Sequence, residues 1–228
     1  RFPRLREVVD PDHMMPCDLL SQARSVISFF VPFHQEVVKA NADHPKAVAE
    51  AWARAYVETN DLIEVITRRL ITFLGEQGHR AAAEPATGSF DGGSLVSRWS
   101  HKSAAVIAGL GSFGLHQMVI TDAGCAGRLG SLVTEARLPA SSAEPRERCL
   151  YFYDGSCTAC VRRCPLDALS TEEPFDRRVC WQRCQEVAER YAYLGEAEIC
   201  GKCVAAPCAL ESPVPITEHR GQMPAPWE

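Results

Sequence analysis

Nine of the eleven cysteines in this 228-residue chain fall between residues 149 and 208, at positions 149, 157, 160, 164, 180, 184, 200, 203 and 208. Thiolates are soft ligands, and a Cys-x2-Cys spacing presents two of them to one metal centre. Two such pairs occur, Cys157 with Cys160 in CTAC and Cys200 with Cys203 in CGKC. The first pair continues as Cys160-x3-Cys164-Pro165. That is the back half of the bacterial iron–sulfur run, in which the cysteine before proline serves a different cluster from its neighbours. An odd total with CxxC pairs suits metal thiolates better than a disulfide framework, although disulfides stay open as an alternative. Zinc is the competing metal. A four-cysteine zinc site built from CTAC and CGKC would be spaced more widely than zinc ribbons are and would leave five nearby cysteines without a task. A single cluster is the third alternative.

These thiols need a scaffold, and the chain before them has the patterning to build one. The segment 24–33, RSVISFFVPF, reads as a buried strand from its branched and aromatic content. From Ala47 to Leu74 the apolar residues Val48, Ala51, Trp52, Ala55, Leu62, Ile63, Ile66, Leu70 and Leu74 recur at helical steps, which predicts a long helix with one core-facing stripe, closed by Gly75 and Gly78. A strand over Arg80–Pro85, a glycine-containing loop GSFDGGS and a second helix from Leu95 to Ala108 follow. Two strands around QMVIT and GSLVTEA then flank a turn at DAGCAG. Alternating helices and strands predict an α/β or α+β fold. The composition changes at PASSAEPRER, so a boundary is expected near residue 145, with one domain over 1–145 and a cysteine-rich one over 146–228.

Composition narrows the partners. A net charge of −5 without a clustered basic face argues against nucleic-acid binding as the main task. The longest apolar run, SVISFFVPF, is broken by Pro32 and falls well short of the roughly 20 residues a membrane span needs. A cytoplasmic protein without a membrane partner is the expectation.

The segment Gly109-Leu110-Gly111-Ser112-Phe113-Gly114 follows a helix, which is the wrong order for a dinucleotide fingerprint. Alone it reads as a helix C-terminal turn leading tightly into a strand. In context it says more. The stretch SRWSHKSAAVIAGLGSFGLHQMVITDAGCAGRLGSLVTEARLP resembles the corresponding part of epoxyqueuosine reductases and their relatives, including the reductive dehalogenases. In those families AGLG-x-x-G, a strand, a Gly turn and a second strand precede a two-cluster ferredoxin module, and both parts occur here in that order. The resemblance covers about residues 15 to 210, in a chain shorter than either family.

What the resemblance implies is a flavin-reductase-like domain that binds a corrinoid, usually cobalamin, followed by a ferredoxin-like domain with two [4Fe-4S] clusters. The function implied is a cobalamin-dependent iron–sulfur reductase. A reductive activator of a corrinoid protein and a non-enzymatic two-cluster electron carrier are the alternatives. A low-potential donor such as ferredoxin or flavodoxin would supply electrons, and the acceptor would be a small molecule or a corrinoid protein, with tRNA entering only by family analogy. By ferredoxin logic Cys149, Cys157, Cys160 and Cys208 share one cluster, and Cys164 crosses over to join Cys180, Cys200 and Cys203 in the other, Cys180 being preferred over Cys184. Asp154 stands where the first cysteine of the ferredoxin run would be, and Cys208 follows a proline instead of preceding one. Gly109, Leu110, Gly111, Ser112, Phe113, Gly114, His116, Thr121, Gly124 and Arg128 are the corrinoid candidates. Epoxyqueuosine reductases carry an acidic proton donor about a dozen positions ahead of AGLG. The matching SLVSRWSHK has none, so His101 is the catalytic candidate and epoxyqueuosine tRNA is not the expected substrate.

Overall fold

The computed structural model describes residues 2–85, 89–141 and 146–215. The expected boundary at 145, the end of the expected second domain and the first glycine of GSFDGGS lie outside the described residues. The short helices α1 (Leu5–Val8) and α2 (Pro16–Leu19) lead into strand β1 (Ser25–Pro32). Helices α3 (Gln35–Ala42) and α4 (Glu50–Glu76) follow, then the short strand β2 (Ala81–Ala82) and a hairpin of β3 (Phe90–Asp91) with β4 (Val96–Ser97). Helix α5 (His101–Ile107) precedes a second hairpin, β5 (Gly111–Phe113) with β6 (Val119–Thr121), and the long strand β7 (Gly127–Thr134). Three helices carry the cysteine-rich part: α6 (Leu150–Asp154), α7 (Ala159–Arg163) and α8 (Arg177–Arg190).

The main sheet has the order β1-β7-β2. β1 runs antiparallel to β7 over its whole length, from Ser25 opposite Thr134 to Pro32 opposite Gly127. Pro32, which cannot donate to a ladder, falls at the end of its strand, where the loss is small. α4 packs on β7 through Ile63, which meets the strand at Gly130.

The buried face of α4 is rotated from the expected stripe. Trp52, Tyr56, Thr59, Ile63 and Leu74 are buried, whereas Ala51 and Leu62 face outward. Trp52 sets this rotation: its ring meets Phe33 edge-on at 5.0 Å and lies under Gly201 of the CGKC loop. The helix over Leu95–Ala108 is corrected to His101–Ile107. Leu95 takes a left-handed φ of 58°, because Asp91 accepts from Gly93 N and Ser94 Oγ and turns the chain back on itself before Ser100 caps the helix.

One group of buried side chains draws on both halves of the chain, joining Phe33, Trp52, Tyr56 and Ile120 to Val187, Tyr191, Val204 and Ala209. Tyr191 Oη donates to Val48 O at 2.6 Å within it, so the hydroxyl is buried with a partner. Among the described residues no helix is long and apolar enough to cross a membrane.

Candidate metal centre

Four thiols converge on one small cavity. Cys149 stands at the N-terminus of α6, where Glu147 Oε1 accepts from its backbone N–H at 2.7 Å. Gly155, left-handed at φ 77°, ends that helix after five residues and returns the chain toward Cys157, and α7 then presents Cys160. Cys208 arrives from a distant loop. Together with His116, Ile120 and Pro207 these cysteines line the cavity. Burial pushes the Cys160 thiol up to about 11, and the neighbouring Cys208, Cys149 and Cys157 push the same way. Four thiolates so placed repel one another, and a bound metal centre reverses that sign.

A second group lies beside the first. Cys203, partly buried, is pushed up by burial and then by Cys200, Cys180, Cys160 and Cys164, so Cys160 of the first group is also a neighbour of the second. Cys164 Sγ accepts from Ala168 N at 3.3 Å in the turn after the Cys-Pro step. Cys180 and Cys184 meet one turn apart on α8, and the Cys184 thiol donates to Cys180. That bond, reinforced by the Lys102 ammonium, moves Cys180 below the usual thiol range, while Cys184 moves up.

The CGKC loop is fastened to the first half by a lysine that sequence reading passed over. Lys202 is buried, and its Nζ donates to Asn41 O at 2.5 Å, Asn41 Oδ1 at 3.1 Å and His44 O at 2.8 Å. Asn41 Nδ2 in turn donates to Cys200 O at 3.2 Å. Burial brings Lys202 down to about 8. Its position between two cysteines was the available signal, since a charged residue inside a thiolate loop faces either the metal or a buried partner.

Spacing bears on the choice of metal. Zinc holds thiolates at about 2.3 Å, which brings tetrahedral sulfurs to roughly 3.8 Å of one another. Among the described residues the one trio of ligand atoms mutually within 4.8 Å is His116, Cys125 and Cys208, so no three thiols of either group meet that closely. Sulfurs that line one cavity without meeting that closely suit a larger, multi-iron centre better than a lone zinc ion.

The candidates for the corrinoid take two kinds of position. Gly111, Gly114, His116, Thr121 and Gly124 are buried. A Cβ on Gly111 would meet Ile120 O and Val119, and one on Gly114 would meet the His116 ring. Gly124, at φ 80°, lies against the Ala209 carbonyl, next to Cys208. Thr121 Oγ1 donates to Gly124 O at 2.9 Å and closes the turn. Gly109, Leu110, Ser112, Phe113 and Arg128 keep some surface. Ser112 Oγ accepts from Arg148 N and donates to Glu147, while Arg128 stacks on Tyr56 and donates to Asn60 Oδ1 at 2.9 Å. His101, on the first turn of α5, has Nδ1 2.7 Å from Ser131 Oγ, and burial lowers its pKa. Asp91, the nearest acid in sequence, is exposed and held below the usual carboxylate range by Gly93 N–H in its own turn. A wider cavity of about 510 Å³ near the N-terminus, between Arg6, Asp18 and Arg98, has no thiol in its lining.

No family model matches the chain, and no curated protein does. Its fold is that of the epoxyqueuosine reductases. The solved structure from Bacillus subtilis, with its catalytic aspartate loop swung out of the active site, superposes with a TM-score of 0.59 at 18% identity, covering 87% of this chain and 52% of that one. The Streptococcus thermophilus enzyme gives 0.57 at 15%, covering 92% and 56%. A selenomethionine-labelled epoxyqueuosine reductase gives 0.54 at 17%, covering 89% and 53%. The chain thus spans about half the length of the structures it resembles. The proteins it resembles are reductases.

Proposed function

We propose that this chain is an iron–sulfur oxidoreductase with two [4Fe-4S] clusters, one on Cys149, Cys157, Cys160 and Cys208, the other on Cys164, Cys180, Cys200 and Cys203. The observation that carries the reading is the convergence of Cys149, Cys157, Cys160 and Cys208 on one cavity, although Cys208 lies far along the chain from the other three. When bound, such clusters supply one-electron transfer at low potential. The chain's own work is to bury the sulfurs, hold them apart and keep water out. Cys180 is the proposed fourth ligand of the second cluster, because Cys184 and Lys102 both favour its thiolate.

Electrons would enter from a low-potential donor such as ferredoxin or flavodoxin and leave toward a corrinoid, and from there to a small molecule, as the likeness to reductases and the AGLG-x-x-G motif suggest. What supports a route from the second cluster is Lys102, at the start of α5, which feels both Cys180 and Cys203. The corrinoid part of the proposal, with its link to the reductive dehalogenases, rests on His101, Gly109, Leu110, Ser112, Phe113 and Arg128, which keep some surface. A second reading, an electron carrier without corrinoid, is favoured by one observation: Gly111, Gly114 and Gly124 are each accounted for by packing within the protein.

Anaerobic reconstitution tests the first part. About eight iron and eight sulfide per chain are expected, and stoichiometric zinc or four iron would refute it. Titration with cobalamin under reducing and oxidising conditions tests the second. Absence of binding, with iron intact, would leave the carrier reading.

A further inference from the structure

We propose that His116 and Cys125 are a pair of buried hydrogen-bond donors to Cys208 Sγ and raise the reduction potential of the cluster that Cys208 helps hold, an inference that rests on the two-cluster reading above. His116 is 2% exposed, and its Nε2 lies 3.4 Å from Cys208 Sγ. Its other ring nitrogen decides what that contact is. Nδ1 accepts from Met118 N at 3.1 Å, and a ring nitrogen that accepts carries no proton, so the proton sits on Nε2. Nε2–H therefore points at sulfur. The same tautomer removes His116 as a neutral metal ligand through Nε2, because a ligating histidine donates from its other nitrogen.

Cys125 supplies the second donor. It is 5% exposed, and its Sγ lies 3.7 Å from Cys208 Sγ and 3.8 Å from Val204 O. Cys125 N donates to Cys208 O at 3.0 Å, which fixes the two residues side by side. Cys125 does not line the cavity, whereas Cys208 does, so Cys208 faces the cluster with Cys125 behind it. Hydrogen bonds to ligand sulfur favour the more negative, reduced state and move the potential up.

The test is a mediated redox titration of the anaerobically reconstituted chain, followed by electron paramagnetic resonance, with iron counted in every sample. Cys125→Ala and His116→Leu each remove one donor. Each is expected to make reduction of one cluster about tenfold less favourable, about 59 mV lower for one electron, and to leave the other cluster in place. His116→Gln keeps an N–H and should restore much of the loss. Iron-loaded variants with unmoved midpoints would overturn the inference, as would glutamine behaving like leucine. If His116→Leu fails to load iron, Cys125→Ala decides the matter by itself. A wild-type chain without iron overturns the two-cluster reading, and this inference with it, before any variant is compared.

Discussion

Replacing Gly124 by alanine should cost the protein one cluster and spare the other. Gly124 sits at φ 80°, and a Cβ there would overlap the Ala209 carbonyl and its carbon. The backbone conformation alone costs an L-residue about 1–3 kcal/mol. The overlap adds a comparable amount, on the order of 1–3 kcal/mol, because the obstacle is backbone and cannot rotate away. Relief requires the 208–209 segment to move, and that segment carries Cys208. Gly155 provides the control. It has nearly the same φ, 77°, yet nothing lies within 4 Å of an added Cβ, so Gly155→Ala should cost only the backbone share. Denaturant unfolding of the two metal-free variants should differ by about 1–3 kcal/mol. After reconstitution, Gly124→Ala should hold about four iron where Gly155→Ala holds about eight. A full iron complement in Gly124→Ala would show that the turn does not position Cys208, and the reasoning would fail.

Cys164→Ser should remove the cluster built on Cys200 and Cys203 and leave the one on Cys157 and Cys160, as read by electron paramagnetic resonance; equal loss of both would refute the crossover. Lys202→Met strands Asn41 O, Asn41 Oδ1 and His44 O and should destabilise the metal-free chain by about 3 kcal/mol in urea, whereas a loss under 1 kcal/mol would show that these carbonyls find other donors. Asp122 is held below the usual carboxylate range by Arg148, then Arg146, so its stabilising contribution is present above the unfolded-state pKa and is lost as pH falls through the lower folded value. With its carboxylate largely exposed, that contribution is about 1 kcal/mol or less, and the Tm difference between wild type and Asp122→Asn should vanish in strong acid; a difference that persists there would assign it to packing.

Elements with a one-dimensional signal were legible. β1 and α4 announced themselves by apolar content and period, and their observed limits differ from expectation by one to three residues. Rotation of α4 was not legible, because Trp52 chooses its neighbours in a loop far downstream, at Gly201. The start of α5 was missed for a local reason: SLVSRW has helical composition, but the Asp91 side chain ties Gly93 and Ser94 into a turn that propensity does not register. Thiol spacing singled out Cys157 and Cys160, which do line the cavity with Cys149 and Cys208, since sulfur chemistry is written in residue type. What spacing could not convey was Cys125. A lone cysteine in a turn is usually buried filler, and only the fold shows it against Cys208.

The glycine motif and the cysteine run occur together in sequence, and the structure offers a physical reason that involves no cofactor. The β5–β6 hairpin reaches both ends of the first thiol group. On one side Ser112 accepts from Arg148 N, and the Glu147 carboxylate that Ser112 holds accepts from Cys149 N. Asp122, in the turn after β6, pairs with Arg146 and with Arg148 on the same stem. On the other side Cys125 N and Ala126 N donate to Ala209 O, at 3.1 Å and 2.9 Å, and Cys125 N also reaches Cys208 O. Cys149 and Cys208 are the first and last cysteines of the run, and closing a loop of that length by the metal centre alone would set the full entropy of closure against binding. The hairpin closes it in advance. Gly124 lets the turn after β6 come near enough to Ala209 to do so, and Gly111 lets β5 close on Ile120 of β6, because any side chain at either position would strike that backbone. A protein that needed these two cysteines held at one cavity would therefore keep the glycines whether or not a corrinoid lay beside them.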